Sequence, residues 1–167
     1  MTIIDWLRPE FDAEMVATRT SLERVPGDRF DWSPHEKSTT LGRLATHVSE
    51  LPGWVTQTLL KTELDIAPAE QGPPVWAVLP SVQAILEQFD RNANEARAAI
   101  DAATEASLQV PWTLKFAGNT LFTMPRWMVY RRMVLNHLVH HRAQLGVYLR
   151  LCGAAVPALY GPSADER

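Results

Sequence analysis

The sequence predicts an all-α fold, a four-helix bundle with a long crossover connection between its second and third helices. Apolar residues recur at three- and four-residue spacing in four separate stretches, the pattern of helices that bury one face. A long proline-rich stretch, residues 62–80, separates the second of these from the third. At 167 residues the chain has the size of one domain. We therefore expect a single domain over residues 1–167, with an irregular tail from about residue 154.

The first two helices are predicted from their apolar periodicity and their prolines. The first runs from about Thr2 to Arg24. Pro9 lies inside it, and we expect this residue to mark the first position of the main helix after a short leading turn. The second helix is predicted over residues 40–61, where Pro52 should produce a kink.

The second half of the chain predicts two further helices and one small β element. The third helix runs from about Ser81 to Ala106, and the fourth from about Pro125 to Gly153. Residues 109–123 are rich in aromatic and β-branched side chains, which predicts a short hairpin. Residues 62–80 show no helical period, so we expect a crossover between helices that are not antiparallel neighbours.

Composition excludes several classes of protein. The net charge is −3, with 16 basic and 19 acidic residues spread along the chain, which argues against a nucleic-acid partner. No apolar stretch approaches the roughly 20 residues of a membrane span. The single cysteine, Cys152, fits a reducing compartment, and we expect it to pack as a small apolar side chain. These features predict a soluble, cytoplasmic protein without a membrane partner.

Two histidines stand one turn apart in the apolar stripe of the fourth helix. His137 and His141 share a face with five apolar side chains: Val134, Leu138, Leu145, Tyr148 and Leu149. Buried imidazole nitrogens are costly unless they find a partner, and a metal ion is one such partner. Two histidines four residues apart on a helix can point to one cation. The pair is suggestive of a metal site.

A third histidine, His47, lies in the apolar stripe of the second helix. If the second and fourth helices are neighbours, His47 faces His137 and His141 across the core. Three imidazoles leave a coordination position open, which is typical of catalytic metal sites. Imidazole suits zinc, nickel, copper or ferrous iron, so ligand type alone does not name the metal.

Two other histidines have less support as ligands. His140 could pair with His137 at a spacing of three residues, but it lies toward the edge of the stripe, about 100 degrees from His141. We expect it at an interface or beside the ligands. His35 lies in a polar loop, where a histidine is usually exposed.

These residues resemble the DinB/YfiT-like family of putative metalloenzymes. The resemblance is carried by HLVHHRAQLGVYLRLCGAAVP, by the helix LGRLATHVSELPGW and by the loop WSPHEKS, and it covers nearly the whole chain. It implies a four-helix bundle, often dimeric, that binds a divalent metal through three histidines. Carried over, those ligands fall on His47, His137 and His141.

The resemblance also implies a chemistry. Better understood relatives are similar to transferases and isomerases that use a low-molecular-weight thiol, where the metal would bind sulfur and favour the thiolate. We therefore expect a thiol-dependent transferase or isomerase acting on a small-molecule substrate. Zinc or nickel is favoured as the metal, with iron or manganese as alternatives.

Two other functions remain open at this point. A metal-dependent hydrolase would need a general base, yet Leu138 stands where the Glu of an H-E-x-x-H motif would be. Glu50, one turn after His47, is the weak candidate, although a solvated Glu is the ordinary interpretation. The chain could also bind metal as a dimer without turnover, and we expect Trp76 and Trp112 to be exposed and available for a homodimer contact.

Overall fold

The computed structural model describes residues 2–68 and 76–166 and confirms the predicted helical bundle. Helices in four stretches of the chain enclose one main apolar core. The helices are α1 (Ile3–Leu22), α2 (Leu41–Glu50), α3 (Gly53–Leu60), α4 (Val82–Ala102), α5 (Glu105–Gln109), α6 (Arg126–Val129) and α7 (Asn136–Leu151), with a π-helical segment, Tyr130–Leu135, between α6 and α7. The strands are β1 (Glu63–Asp65), β2 (Pro111–Phe116) and β3 (Asn119–Pro125).

Helix α1 begins at Ile3 and continues through Pro9, so the prediction of a separate leading turn was wrong. Proline lacks the N–H that would bond one turn back, which weakens a helix interior. The buried side chains of Leu7, Phe11 and Met15 line the core face of α1. Their packing on both sides of Pro9 offsets the lost hydrogen bond and keeps the helix continuous.

The second helical stretch is interrupted at Pro52, where the sequence predicted a kink. At this interruption the Asn92 side chain of α4 donates to the Ser49 carbonyl at 2.9 Å, and Gln88 donates to the Ser49 hydroxyl at 2.9 Å. Polar groups at the interruption are therefore bonded to α4. This anchors the end of α2 one turn after His47.

The prediction for the third helix joins two helices that are separate in the structure. Helix α4 ends at Ala102, and α5 starts after Thr104, so the prediction of one helix to Ala106 was wrong. The Thr104 hydroxyl accepts from the Ser107 amide, and the Ser107 hydroxyl accepts from the Thr104 amide. This reciprocal cap starts a new helix where the periodicity suggests a continuation.

The three strands form one sheet in the order β1-β2-β3. Strands β2 and β3 are antiparallel and confirm the predicted hairpin. Their turn places Ala117 and Gly118 at positive φ, 49° and 77°. Strand β1 pairs with β2 in parallel, so the predicted crossover includes a short strand, Glu63–Asp65, that the sequence did not predict; residues 69–75 of the crossover lie outside the described residues. A strand this short leaves little periodic signal in the sequence.

The prediction that Trp112 is exposed was also wrong. Trp112 is 0% exposed and lies in a second apolar cluster with Leu114 and Val129. Its indole N–H donates to the Gln57 carbonyl at 3.0 Å, which pairs the one polar group of the ring. Trp76 is 61% exposed, as predicted.

The tail after α7 has no helix or strand through residue 166, as predicted. It is held to the bundle at Arg142, a side chain of α7 that is 2% exposed. Arg142 donates to the Tyr160 hydroxyl of the tail and forms an ion pair with Glu14 of α1 at 2.6 Å. Within residues 2–68 and 76–166, no helix is long and apolar enough to cross a membrane.

Candidate metal site

The three predicted histidines meet between α2 and α7. His47 Nε2 lies 3.5 Å from His137 Nε2, and His137 Nε2 lies 2.8 Å from His141 Nε2. One ligand atom from each of the three lies within 4.8 Å of the others. The ring centroids of His47 and His141 are 4.7 Å apart. Imidazoles from two separate helices therefore converge, as predicted.

A local change in helix type precedes two of these histidines. The segment Tyr130–Leu135 is π-helical and leads directly into α7, whereas the sequence predicts one continuous helix. Buried Tyr130 fixes the start of this segment by donating to the Leu7 carbonyl at 3.1 Å. Short π-helical segments are frequent at functional sites. Here the segment ends directly before the first turn of α7, which carries His137.

Two of the rings are oriented through their second nitrogen. His47 Nδ1 lies 3.3 Å from Glu50 Oε2, and His141 Nδ1 lies 2.7 Å from Gln144 Oε1. Both oxygens accept hydrogen bonds, so each Nδ1 is assigned the proton. The Nε2 lone pairs of His47 and His141 then face the common point. This is the usual way in which metal-binding histidines are held.

The surroundings of His137 strongly lower the pKa of its imidazole. Burial, and then the rings of His141 and His47, lower its pKa to about 4, while the Met133 carbonyl opposes the change. That carbonyl does not complete a hydrogen bond of standard geometry, since His137 Nδ1 is buried without a partner in the described part of the chain. Burial also lowers the pKa of His141, against a hydrogen bond to Gln144. Both rings are therefore neutral at pH 7, as metal ligands must be.

Glu50 is not the solvated side chain that the sequence suggested. Its side chain is 35% exposed and forms an ion pair with Arg43 at 2.7 Å. Burial raises the pKa of Glu50, but hydrogen bonds from His47 and Arg43 and the charge of Arg43 outweigh it, so the net pKa is lowered. Glu50 is therefore an ionised acceptor beside the cluster.

Arg43 is the site residue that sequence reasoning missed. It precedes His47 by one turn and Glu50 by two, so all three share a face of α2. The Thr40 hydroxyl caps this helix by accepting from the Arg43 amide at 3.3 Å. That spacing of four and then three residues was the available signal.

A cleft opens beside the cluster with a volume of about 260 Å³. Two of the three histidines, His47 and His141, border it, and its other lining residues are Thr39, Arg43, Leu44 and Trp76. The wall at Trp76 belongs to the crossover. A small molecule in the cleft would lie directly against the open side of the histidine cluster.

The donor set fits a divalent cation. At a metal–nitrogen distance of roughly 2.0–2.1 Å, a tetrahedral site separates its nitrogens by about 3.3 Å, close to the 2.8 Å and 3.5 Å observed here. Nε2 lone pairs that face one another repel unless a proton or a cation lies between them. The three histidines could therefore bind one metal ion.

Three other predicted residues lie outside the cluster. His35 is exposed and accepts from the Lys37 amide at 3.1 Å. His140 is exposed with its ring centroid 4.8 Å from that of His141, so it stands beside the ligands. Cys152 lies at the end of α7, about 16 Å along the helix from His141, and burial raises the pKa of its thiol.

The fold and the site together define a class of protein, the helical bundles in which three histidines converge on one point. The DinB family model matches residues 9–167. The chain belongs to the DinB family, as its resemblance suggested.

Individual relatives agree with this assignment. The chain is 30% identical over 165 residues to the protein YrdA of Bacillus subtilis (strain 168), covering 94% of this chain and 86% of YrdA. A DinB-like protein from Bacillus cereus ATCC 10987 has a similar crystal structure, with a TM-score of 0.69, 23% identity and coverage of 92% and 95% of the two chains. The DinB-like protein YjoA from B. subtilis gives a TM-score of 0.67, 16% identity and coverage of 97% and 99%. Both structural likenesses support the fold.

Proposed function

We propose that the chain is a divalent-metal-dependent enzyme, a transferase or isomerase that uses a low-molecular-weight thiol. The observation that carries this proposal is the convergence of three Nε2 atoms at a point that borders a cleft. A site with three imidazole donors retains an open position. A purely structural site would instead surround its metal with protein ligands.

The side chains of the cluster have separate tasks in this proposal. His47, His137 and His141 would hold zinc or nickel, with iron or manganese as alternatives, through neutral imidazole nitrogens. A cation bound there would accept a thiol sulfur and favour the nucleophilic thiolate. Glu50 and Gln144 orient two of the rings by accepting from their Nδ1 atoms.

The cleft would select the rest of the substrate by size and polarity. Leu44 and Trp76 give it apolar walls, whereas the guanidinium of Arg43 is already paired with Glu50. Most of the bound molecule would therefore be recognised by apolar contact, which also excludes water from the reacting sulfur.

A cobalt-substituted protein tests the thiol step directly. We expect its visible absorption spectrum to shift when small thiols are added at millimolar concentration, because sulfur changes the ligand field of cobalt. The corresponding alcohols are the matched controls and should leave the spectrum unchanged. An unchanged spectrum with every thiol would contradict thiol use.

A hydrolase is less well supported by the geometry. Its base would be Glu50, but this carboxylate forms an ion pair with Arg43. Burial raises the pKa of Glu50, and the hydrogen bonds from His47 and Arg43 lower it by more, so the net pKa lies below the usual value. A lowered pKa makes a poor proton acceptor at neutral pH. Turnover of ester, amide or phosphate substrates that disappears in Glu50→Gln even at saturating metal would favour the hydrolase over the thiol enzyme. Metal binding without turnover of any substrate would favour a non-catalytic protein.

Other expectations stay predictions. A small-molecule substrate is part of the present proposal, and so are a homodimer, a cytoplasmic location and the absence of nucleic-acid or membrane partners. Analytical ultracentrifugation would test the homodimer.

A further inference from the structure

Arg43 connects the candidate metal site to the crossover. Its Nη1 and Nη2 atoms donate to the two carboxylate oxygens of Glu50 at 3.2 and 2.7 Å. The Arg43 side chain is only 14% exposed. Two parallel hydrogen bonds from a planar guanidinium fix a carboxylate in direction as well as in place. Glu50 is thereby held with Oε2 toward His47.

The same guanidinium also contacts the wall of the cleft. Arg43 Nη1 donates to the Ala77 carbonyl at 2.6 Å, and the Arg43 guanidinium carbon lies 5.8 Å from the Trp76 ring centroid. A further contact, from the Leu79 amide to the Thr46 hydroxyl, measures 3.1 Å. The end of the crossover is therefore attached to α2, the helix that carries His47.

We infer that Arg43 is a positioning residue that fixes both the metal-facing direction of His47, through Glu50, and the Trp76 wall of the cleft. This inference rests on the proposed metal site and adds the residue that organises it. Without Arg43, the carboxylate of Glu50 would lose two donors and turn toward solvent. His47 would then lose the acceptor at Nδ1 that orients its ring.

Lysine does not replace arginine in this role. An ammonium group is a compact charge without the planar fork that reaches both oxygens of Glu50 and the Ala77 carbonyl together. Arg43→Lys keeps the charge and removes that geometry, whereas Arg43→Gln removes both. Glu50→Gln keeps the shape of the acceptor and leaves Arg43 in place.

The first arm of the test measures cobalt affinity by competition with a chromophoric chelator, together with the cobalt absorption spectrum. We expect Arg43→Gln and Glu50→Gln to bind cobalt about 10- to 100-fold more weakly, with altered spectra. Arg43→Lys should recover only part of the loss. The matched control is Arg19→Gln, which removes an arginine–carboxylate pair with Asp90 on another pair of helices and should bind like wild type.

The second arm measures cleavage by chymotrypsin after Trp76, which tests the attachment of the crossover. Cleavage should be faster in Arg43→Gln than in wild type and unchanged in Glu50→Gln, because the hydrogen bond to the Ala77 carbonyl comes from Arg43, which Glu50→Gln retains. Circular dichroism establishes that each variant is folded.

The outcomes separate the two proposals. Tight cobalt binding by wild type with unchanged affinity and spectrum in Arg43→Gln would overturn the role of Arg43 alone. Failure of wild type to bind stoichiometric cobalt would overturn the proposed metal site, and the role of Arg43 with it.

Discussion

His47 Nε2 on α2 lies 3.5 Å from His137 Nε2 on α7, although 90 residues separate them in the chain. Two features adjoin this contact, one at the end of α2 and one at the start of α7. Hydrogen bonds from α4 support the interruption after α2, and a π-helical segment leads into α7. The candidate site is therefore a product of helix packing, and its three histidines all lie on helices.

The metal-free protein should lose stability as the pH falls from about 6.5 toward about 4. Burial, followed by the rings of His141 and His47, lowers the pKa of His137 to about 4 from 6.5. Between these values the unfolded chain binds a proton that the folded chain does not. Because the unfolded state binds more protons, unfolding is favoured as the pH falls.

Urea unfolding of chelator-treated protein at pH 7 and pH 5 measures this effect. The His137→Gln variant is the control, because it removes this imidazole and leaves the titratable groups outside the cluster in place. We expect the loss of unfolding free energy between the two pH values to be larger in wild type by on the order of 1 kcal/mol. An equal loss in both proteins would show that His137 does not couple to folding.

Two tryptophans near the crossover and the sheet should respond differently to the same substitution. Trp112→Phe removes the hydrogen bond to Gln57 and leaves space in a buried cluster, which should cost about 1–3 kcal/mol of unfolding free energy. Trp76→Phe changes an exposed side chain and should cost less than about 0.5 kcal/mol. Chemical denaturation of both variants measures the difference, and similar losses would refute the burial of Trp112.

The buried ion pair between Arg142 and Glu14 should be costly to break on one side. The two side chains are 2% and 12% exposed. Arg142→Met would leave the Glu14 carboxylate with the Tyr160 hydroxyl as a donor but without a cation beside it, and should destabilise the fold by about 3–5 kcal/mol. The double variant Glu14→Gln with Arg142→Met should recover part of this loss.

The control for this prediction is an exposed ion pair between another arginine of α7 and the tail. Arg150 and Asp165 have side chains that are 49% and 28% exposed, so Arg150→Met should cost at most about 1 kcal/mol. Equal effects at Arg142 and Arg150 in thermal unfolding would contradict a structural role for the buried pair.

The sequence predicted the histidines because their signal is periodic. His47, His137 and His141 each occupy a position on an apolar stripe, where an imidazole requires a partner. The stripes predict that the helices bury these faces against one another, since each buried face needs another, but they do not say which helices are neighbours. The hairpin and the interruption at Pro52 followed from local composition.

Other features depend on contacts that a single stretch of sequence does not encode. Strand β1 exists through its pairing with β2, and Trp112 is buried because β2 packs against the helices. Pro9 was misread because the packing of α1 overrides a local preference. The role of Arg43 depends on the position of Ala77 in the crossover.

The central claim is that His47, His137 and His141 hold one divalent metal ion. Elemental analysis of purified protein tests it most directly, comparing wild type with the double variant His137→Ala/His141→Ala. The exposed His35→Ala and His140→Ala variants serve as controls. We predict about one metal ion per chain in wild type and in both controls, and none in the double variant. Stoichiometric metal in the double variant, or no metal in wild type, would contradict the account.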